Sequence, residues 1–136
     1  MKNKLYFYYS GFSGPFYEIL CKDKQFEISL GDIGVKDTYY ISSPPEDKWE
    51  TFWCFLDENQ VWKWKKNYIN QNVLDGTQWE LDFSNSIKKI KSYGSNKFPN
   101  KRDFKKLINQ IEILLDFKLK KLKDEFNEYK IEYQKE

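Results

Sequence analysis

In TQWELDF, residues 77 to 83, apolar and polar side chains alternate without a break. Trp79, Leu81 and Phe83 take one side; Gln78, Glu80 and Asp82 take the other. A period of two is that of an extended strand with one dry and one wet face, not of a helix. QFEISL, residues 25 to 30, repeats it with Phe26, Ile28 and Leu30 against Gln25, Glu27 and Ser29. Strands of this kind need antiparallel neighbours and one covering layer.

Two segments can supply that layer. In SPPEDKWETFWCFLDE, residues 43 to 58, Trp49, Phe52, Trp53 and Leu56 recur at helical spacing. Ser43 is the expected cap, the prolines suit the first turn, and Glu46 and Asp47 suit a helix N-terminus. From about residue 101 to 133 apolar residues step by three or four with no Gly or Pro between them. Thirty-odd residues at about 1.5 Å each make a helix of roughly 50 Å. That is longer than a small domain, so the helix either breaks or extends beyond the core. A second copy of the chain is the expected cover for the overhang, through Leu115, Leu119, Leu122, Phe126 and Tyr129.

Further strands are expected at LYFYYS, FYEILC and TYYIS, and at IKKIKSY, which returns from TQWELDF. QVWKWKKNY reads as another antiparallel strand, with Trp62, Trp64 and Tyr68 on one side. Trp62, Trp64 and Trp79 are expected in or near the core. The whole is a single α+β domain over residues 1–136: an antiparallel β-meander with a short internal helix and a long C-terminal helix packed on the sheet. Aromatic residues make up 19% of the 136, which lets a short chain bury a large area.

The chain has no histidine, so the commonest general base and metal ligand is absent. Two cysteines, Cys21 and Cys54, are too few for a zinc cage and are expected as small buried residues. Asp75, Glu80 and Asp82 lack the spacing of a two-carboxylate nuclease site, and the last two share a solvated strand face. No cofactor loop or metal cluster is recognisable, and no cofactor is expected. The longest apolar runs fall short of the roughly 20 residues a membrane helix needs. The N-terminus lacks the small residues of a processing site, which suits a cytoplasmic protein.

LDGTQWELDF, residues 74 to 83, and KSYGSNKFPN, residues 91 to 100, place glycine-centred turns on either side of the tryptophan strand. Gly94 and Asn96 are available there for positive φ. With the helix FKKLINQIEILL that follows, these residues resemble a pattern in small uncharacterised bacterial proteins: a DGTxWxL strand, then GSNxxP, then a terminal helix. The resemblance spans roughly residues 61 to 115 and implies that local architecture without an activity. The abundance of Lys, Asn, Ile and Tyr suits an AT-rich bacterium or its phage.

What remains is binding. Tyr and Trp, enriched at interfaces, are abundant for the size. The expected role is a non-enzymatic intracellular protein-binding module of inhibitor type (immunity or anti-defence), acting through an aromatic-rich surface on a protein partner. The alternative is a nucleic-acid-binding module. For that reading Lys63, Lys65, Lys88, Lys91, Lys97, Lys101 and Arg102 are the candidate phosphate contacts, on one basic face. Lysine dominates that set, which disfavours forked phosphate or base readout.

Overall fold

The computed structural model describes residues 3–11, 16–22, 24–32, 35–70 and 76–119. Among these residues seven strands form one sheet: β1 (Lys4–Ser10), β2 (Phe16–Lys22), β3 (Gln25–Asp32), β4 (Val35–Ser42), β5 (Asn67–Ile69), β6 (Gln78–Ser84) and β7 (Lys89–Ser95). Their order is β4-β3-β2-β1-β6-β7-β5. The first four strands are an antiparallel meander, and β6 and β7 a hairpin joined to it through β1. Only β5 runs parallel to its neighbour, β7. Between β4 and β5, helix α1 (Glu46–Glu58) crosses from one edge of the sheet to the other; α2 (Lys101–Leu115) follows β7. The α+β class and the mostly antiparallel sheet are as the alternation implies.

Both helices lie on the same face. Phe7, Trp79 and Phe83 of the sheet meet Phe104 and Phe52 of the helices, and Phe26 stacks on Trp49 at 5.6 Å. Two runs of rings result. Phe26, Trp49, Trp53 and Trp62 follow one another along α1, and Trp64, Phe104, Trp79 and Phe98 close the far end. Each such pair contributes about 0.5–1.5 kcal/mol beyond its buried area. Thus the tryptophans serve the core: Trp49, Trp53 and Trp79 are buried, with Trp62 and Trp64 half-buried against them.

Several expectations are corrected. QVWKWKKNY is not one antiparallel strand. Val61–Lys63 is a 3-10 turn, and only Asn67–Ile69 is extended. Gln60 in the left-handed region ends α1 abruptly, and the next residues wind once so that Trp62 and Trp64 can both reach aromatic partners. Ser43 does not cap α1. Pro45 occupies that position without a side-chain hydrogen bond, and the Ser43 hydroxyl accepts from Trp49 Nε1 at 3.3 Å. Cys21 is half-buried and Cys54 exposed, because Cys54 lies outside the apolar stripe of α1 formed by Trp49, Phe52, Trp53 and Leu56.

The terminal helix also differs from the single rod expected over 101–133. It ends at Leu115, with Asp116 at φ 52° and its N–H on the Glu112 carbonyl. The buried Glu112 side chain then accepts the Leu119 N–H at 2.6 Å, which fixes the chain after the turn. A carboxylate reaching past its own helix end satisfies a donor that continued helix would have satisfied. Residues 120–136 lie outside the described residues. Among those described, no helix is long and apolar enough to cross a membrane.

Candidate functional site

The residues of the glycine turns converge on one corner. The Asn96 N–H donates to the Thr77 carbonyl at 2.8 Å, and Trp79 Nε1 donates to the Lys97 carbonyl at 2.8 Å. Phe98 stacks on Trp79, with the rings 8° from parallel. A Cβ on Gly94 would collide with the Trp79 indole, and one on Gly76 with the Asn96 side chain. Asn96 takes positive φ as anticipated, at 60°. Gly94, in contrast, lies within β7, and what it supplies is space for the indole. Gly76, Trp79, Gly94 and Asn96, the residues of the DGTxWxL and GSNxxP strings that meet at this corner, are engaged in packing or backbone hydrogen bonds, so the corner is architecture.

The opposite face of the sheet is different. Strand register lays its side chains out in rows. One row runs Thr38, Ser29, Glu18, Tyr8, Glu80, Tyr93, from β4 to β7. The next runs Tyr40, Glu27, Leu20, Tyr6, Asp82, Lys91. Six strands at about 4.8 Å spacing make this surface roughly 24 Å wide. Because both helices pack on the inner face, no second layer covers it among the described residues. Tyr40 and Tyr93 are 59% and 41% exposed.

These two rows carry four carboxylates, Glu18, Glu27, Glu80 and Asp82, against a single lysine, Lys91. Between the carboxylates stand Tyr6, Tyr8, Tyr40, Tyr93 and Leu20. The Tyr6 hydroxyl donates to Glu18 Oε2 at 2.8 Å. Burial, that hydrogen bond and the neighbouring charges of Glu18 and Glu80 raise the Tyr6 phenol well above its ordinary value. Tyr6 therefore remains a neutral donor at any physiological pH. Lys4 from β1 pairs with Asp82 at 3.0 Å, and Lys91 is the cross-strand neighbour of the same carboxylate. Glu80 and Asp82 do share one outward face, as their alternation implies. Among the described residues, no group of three or more Cys, Asp and Glu side chains is arranged to hold a metal ion.

The candidate lysines fall in separate places. Lys91 lies on the outer face, whereas Lys88 in the β6–β7 turn pairs with Asp57 at 3.0 Å and stands over the Trp62 ring. Lys63 and Lys65 are exposed beside the 3-10 turn and the lead into β5. Lys97, Lys101 and Arg102 lie past the other end of β7. The strand between, Lys89 to Ser95, spans roughly 20 Å, so the two ends are well beyond a Debye length from each other. Desolvation lowers the Lys101 ammonium below its ordinary value. Of the proposed dimer contacts, Leu115 and Leu119 are buried in the chain's own core, while Leu122, Phe126 and Tyr129 lie outside the described residues.

The tyrosine and carboxylate face was not singled out from sequence. Tyr6 and Tyr8 lie on β1, Glu18 on β2 and Glu80 on the distant β6, and the β1–β2 and β1–β6 pairings together bring them side by side. The alternation of LYFYYS was the available signal, since a strand with large rings on both sides has an aromatic outer face. Neither a protein-family model nor a curated protein matches this chain.

Proposed function

We propose that this chain is a non-enzymatic binding module that docks a cationic protein surface on the outer face of its sheet. One observation carries the reading: four carboxylates and four tyrosines, interleaved over two rows of an uncovered sheet face. Tyrosine brings large contact area with few rotatable bonds, and its hydroxyl keeps the face soluble until a partner arrives. The carboxylates speed encounter with a basic partner and select against an acidic one. The surface is broad enough for a helix about 10–12 Å across. An inhibitor fits this design, because covering a basic functional patch on a partner needs shape and charge but no chemistry. The net negative charge of these two rows disfavours the phosphate backbone of a nucleic acid at the same position.

The test is comparative capture. Tagged wild-type chain, a Tyr8→Ala/Glu80→Lys variant and a Lys97→Gln/Lys105→Gln control are incubated with nuclease-treated lysate of the source organism. A stoichiometric basic protein retained by wild type and control, released by salt and lost by the face variant, is the expected result. Equal retention by all three proteins would refute the assignment of the outer face.

A further inference from the structure

At one end of the outer face the charge reverses. An open groove of about 630 Å³ is lined by Lys4, Lys66, Lys89 and Lys91, with Trp64, Ile90, Ser84 and Asp82. Lys4, Ser84 and Lys89 form a single row across β1, β6 and β7, and Lys91 is next along β7. Two strand spacings separate Lys4 from Lys89, so the cationic stems rise within about 10 Å of each other. Lys66 enters from the lead into β5, where its carbonyl accepts the Tyr93 N–H at 3.0 Å.

We propose that this groove is a binding site for a polyphosphate group, of the kind carried by a nucleotide. Four ammonium groups face one carboxylate here. Asp82 is already paired with Lys4, and among the described residues Lys66, Lys89 and Lys91 make no ion pair. Like charges this close, within a Debye length, are relieved by a multivalent anion that bridges them. The backbone adds donors. Tyr93 directs its N–H towards β5, so by strand alternation Lys91 and Lys89 direct theirs to the same edge, ahead of the point where β5 begins to pair. The Ser84 hydroxyl faces the same space.

Size and surroundings restrict the ligand. The volume falls in the range of small-ligand sites. Trp64, half-buried and stacked on Phe104, offers a fixed ring edge at the wall for an aromatic base. A long polyanion fits poorly, because Glu80 and Glu18 lie one to two rows further along the face and Asp57 lies beside Lys88. The positive region is bounded, which suits a compact anion rather than a strand. The groove shares Asp82 and Lys91 with the margin of the docking face, but it is tested without a protein partner, so its failure and that of the docking reading are read separately.

Isothermal titration at low ionic strength with inorganic triphosphate, a nucleoside triphosphate and a short single-stranded oligonucleotide tests the proposal. Wild-type chain is compared with Lys89→Gln/Lys91→Gln, Trp64→Phe and the distant control Lys97→Gln/Lys105→Gln, each confirmed folded by its thermal melt. Saturable one-to-one triphosphate binding, weakened at least tenfold in Lys89→Gln/Lys91→Gln and unchanged in the control, is expected. A nucleoside triphosphate that binds more tightly than triphosphate, with the excess lost in Trp64→Phe, assigns the base to Trp64; equal affinity assigns the phosphates alone. No saturable binding of either phosphate compound, equal weakening in the control, or binding of the oligonucleotide alone would overturn the proposal.

Discussion

The Trp79 indole lies directly over Gly94, its cross-strand partner, and its Nε1–H reaches past the glycine to the Lys97 carbonyl at 2.8 Å. A ring can occupy that position only if the residue beneath has no Cβ. The indole in turn is packed by Phe98, Phe104, Tyr68 and Trp64, so a shift at Gly94 is transmitted to the whole end of the core.

Gly94→Ala is therefore expected to destabilise the fold by about 1–3 kcal/mol, the usual range for forced overpacking. Gly76→Ala should cost less, because the atom its Cβ meets is the end of the Asn96 side chain, which can rotate away. Urea denaturation of the two variants side by side measures the difference. Equal losses would show that the indole has room to move.

Helix caps make a second contrast. The Asn100 side chain accepts from the Arg102 and Asp103 N–H groups at 2.9 and 3.2 Å, so Asn100→Ala should lower stability by about 1 kcal/mol. Ser43 makes no such bond to the α1 backbone; Ser43→Ala instead removes the acceptor of Trp49 Nε1 and should cost about 1 kcal/mol without loosening the start of α1. Amide exchange separates the two: protection should fall in the first turn of α2 in Asn100→Ala and stay unchanged in the first turn of α1 in Ser43→Ala.

Glu112 holds the turn after α2. Its carboxylate accepts the Leu119 N–H at 2.6 Å from a position 7% exposed. In Glu112→Ala that donor loses its acceptor, for about 1–3 kcal/mol. Glu112→Gln retains an acceptor oxygen and should recover most of the loss. Amide exchange at Leu119 reads the effect locally: protection should fall in the alanine variant and persist in the glutamine variant.

Tyr6 links the outer face to pH. Its phenol titrates above the ordinary value because burial, the hydrogen bond to Glu18 and nearby negative charge all favour the neutral form. The folded state holds this proton more tightly than the unfolded chain. Its contribution is thus complete below the unfolded value near pH 10 and is lost as pH rises above it. Tyr6→Phe should cost about 1 kcal/mol at neutral pH and make the alkaline decline of stability shallower. Urea denaturation at neutral pH and above pH 10 checks the sign; a steeper decline in the variant would contradict it.

Short-range physics accounts for what was legible beforehand. The alternation in TQWELDF and QFEISL identifies β6 and β3 and assigns their inner residues, because a strand's side chains change sides with every residue whatever it pairs with. The stripe of Trp49, Phe52, Trp53 and Leu56 likewise identifies α1 and its buried side. Where two periods compete, local reading fails: Trp62 and Trp64 alternate as in a strand, yet one belongs to a 3-10 turn and the other follows it.

Pairing over long sequence separation decided the rest. That β1 lies between β2 and β6, and that β5 joins β7 in parallel, depends on contacts among residues dozens of positions apart. Those pairings set Tyr8 beside Glu80 and bring Lys4 and Lys89 into one row on either side of Ser84. Sequence by itself determined which side chains each strand turns to solvent. Only the tertiary structure decided which of them become neighbours, because the free energy that selects strand order comes from burying the shared inner face and is indifferent to what that order assembles on the outer one.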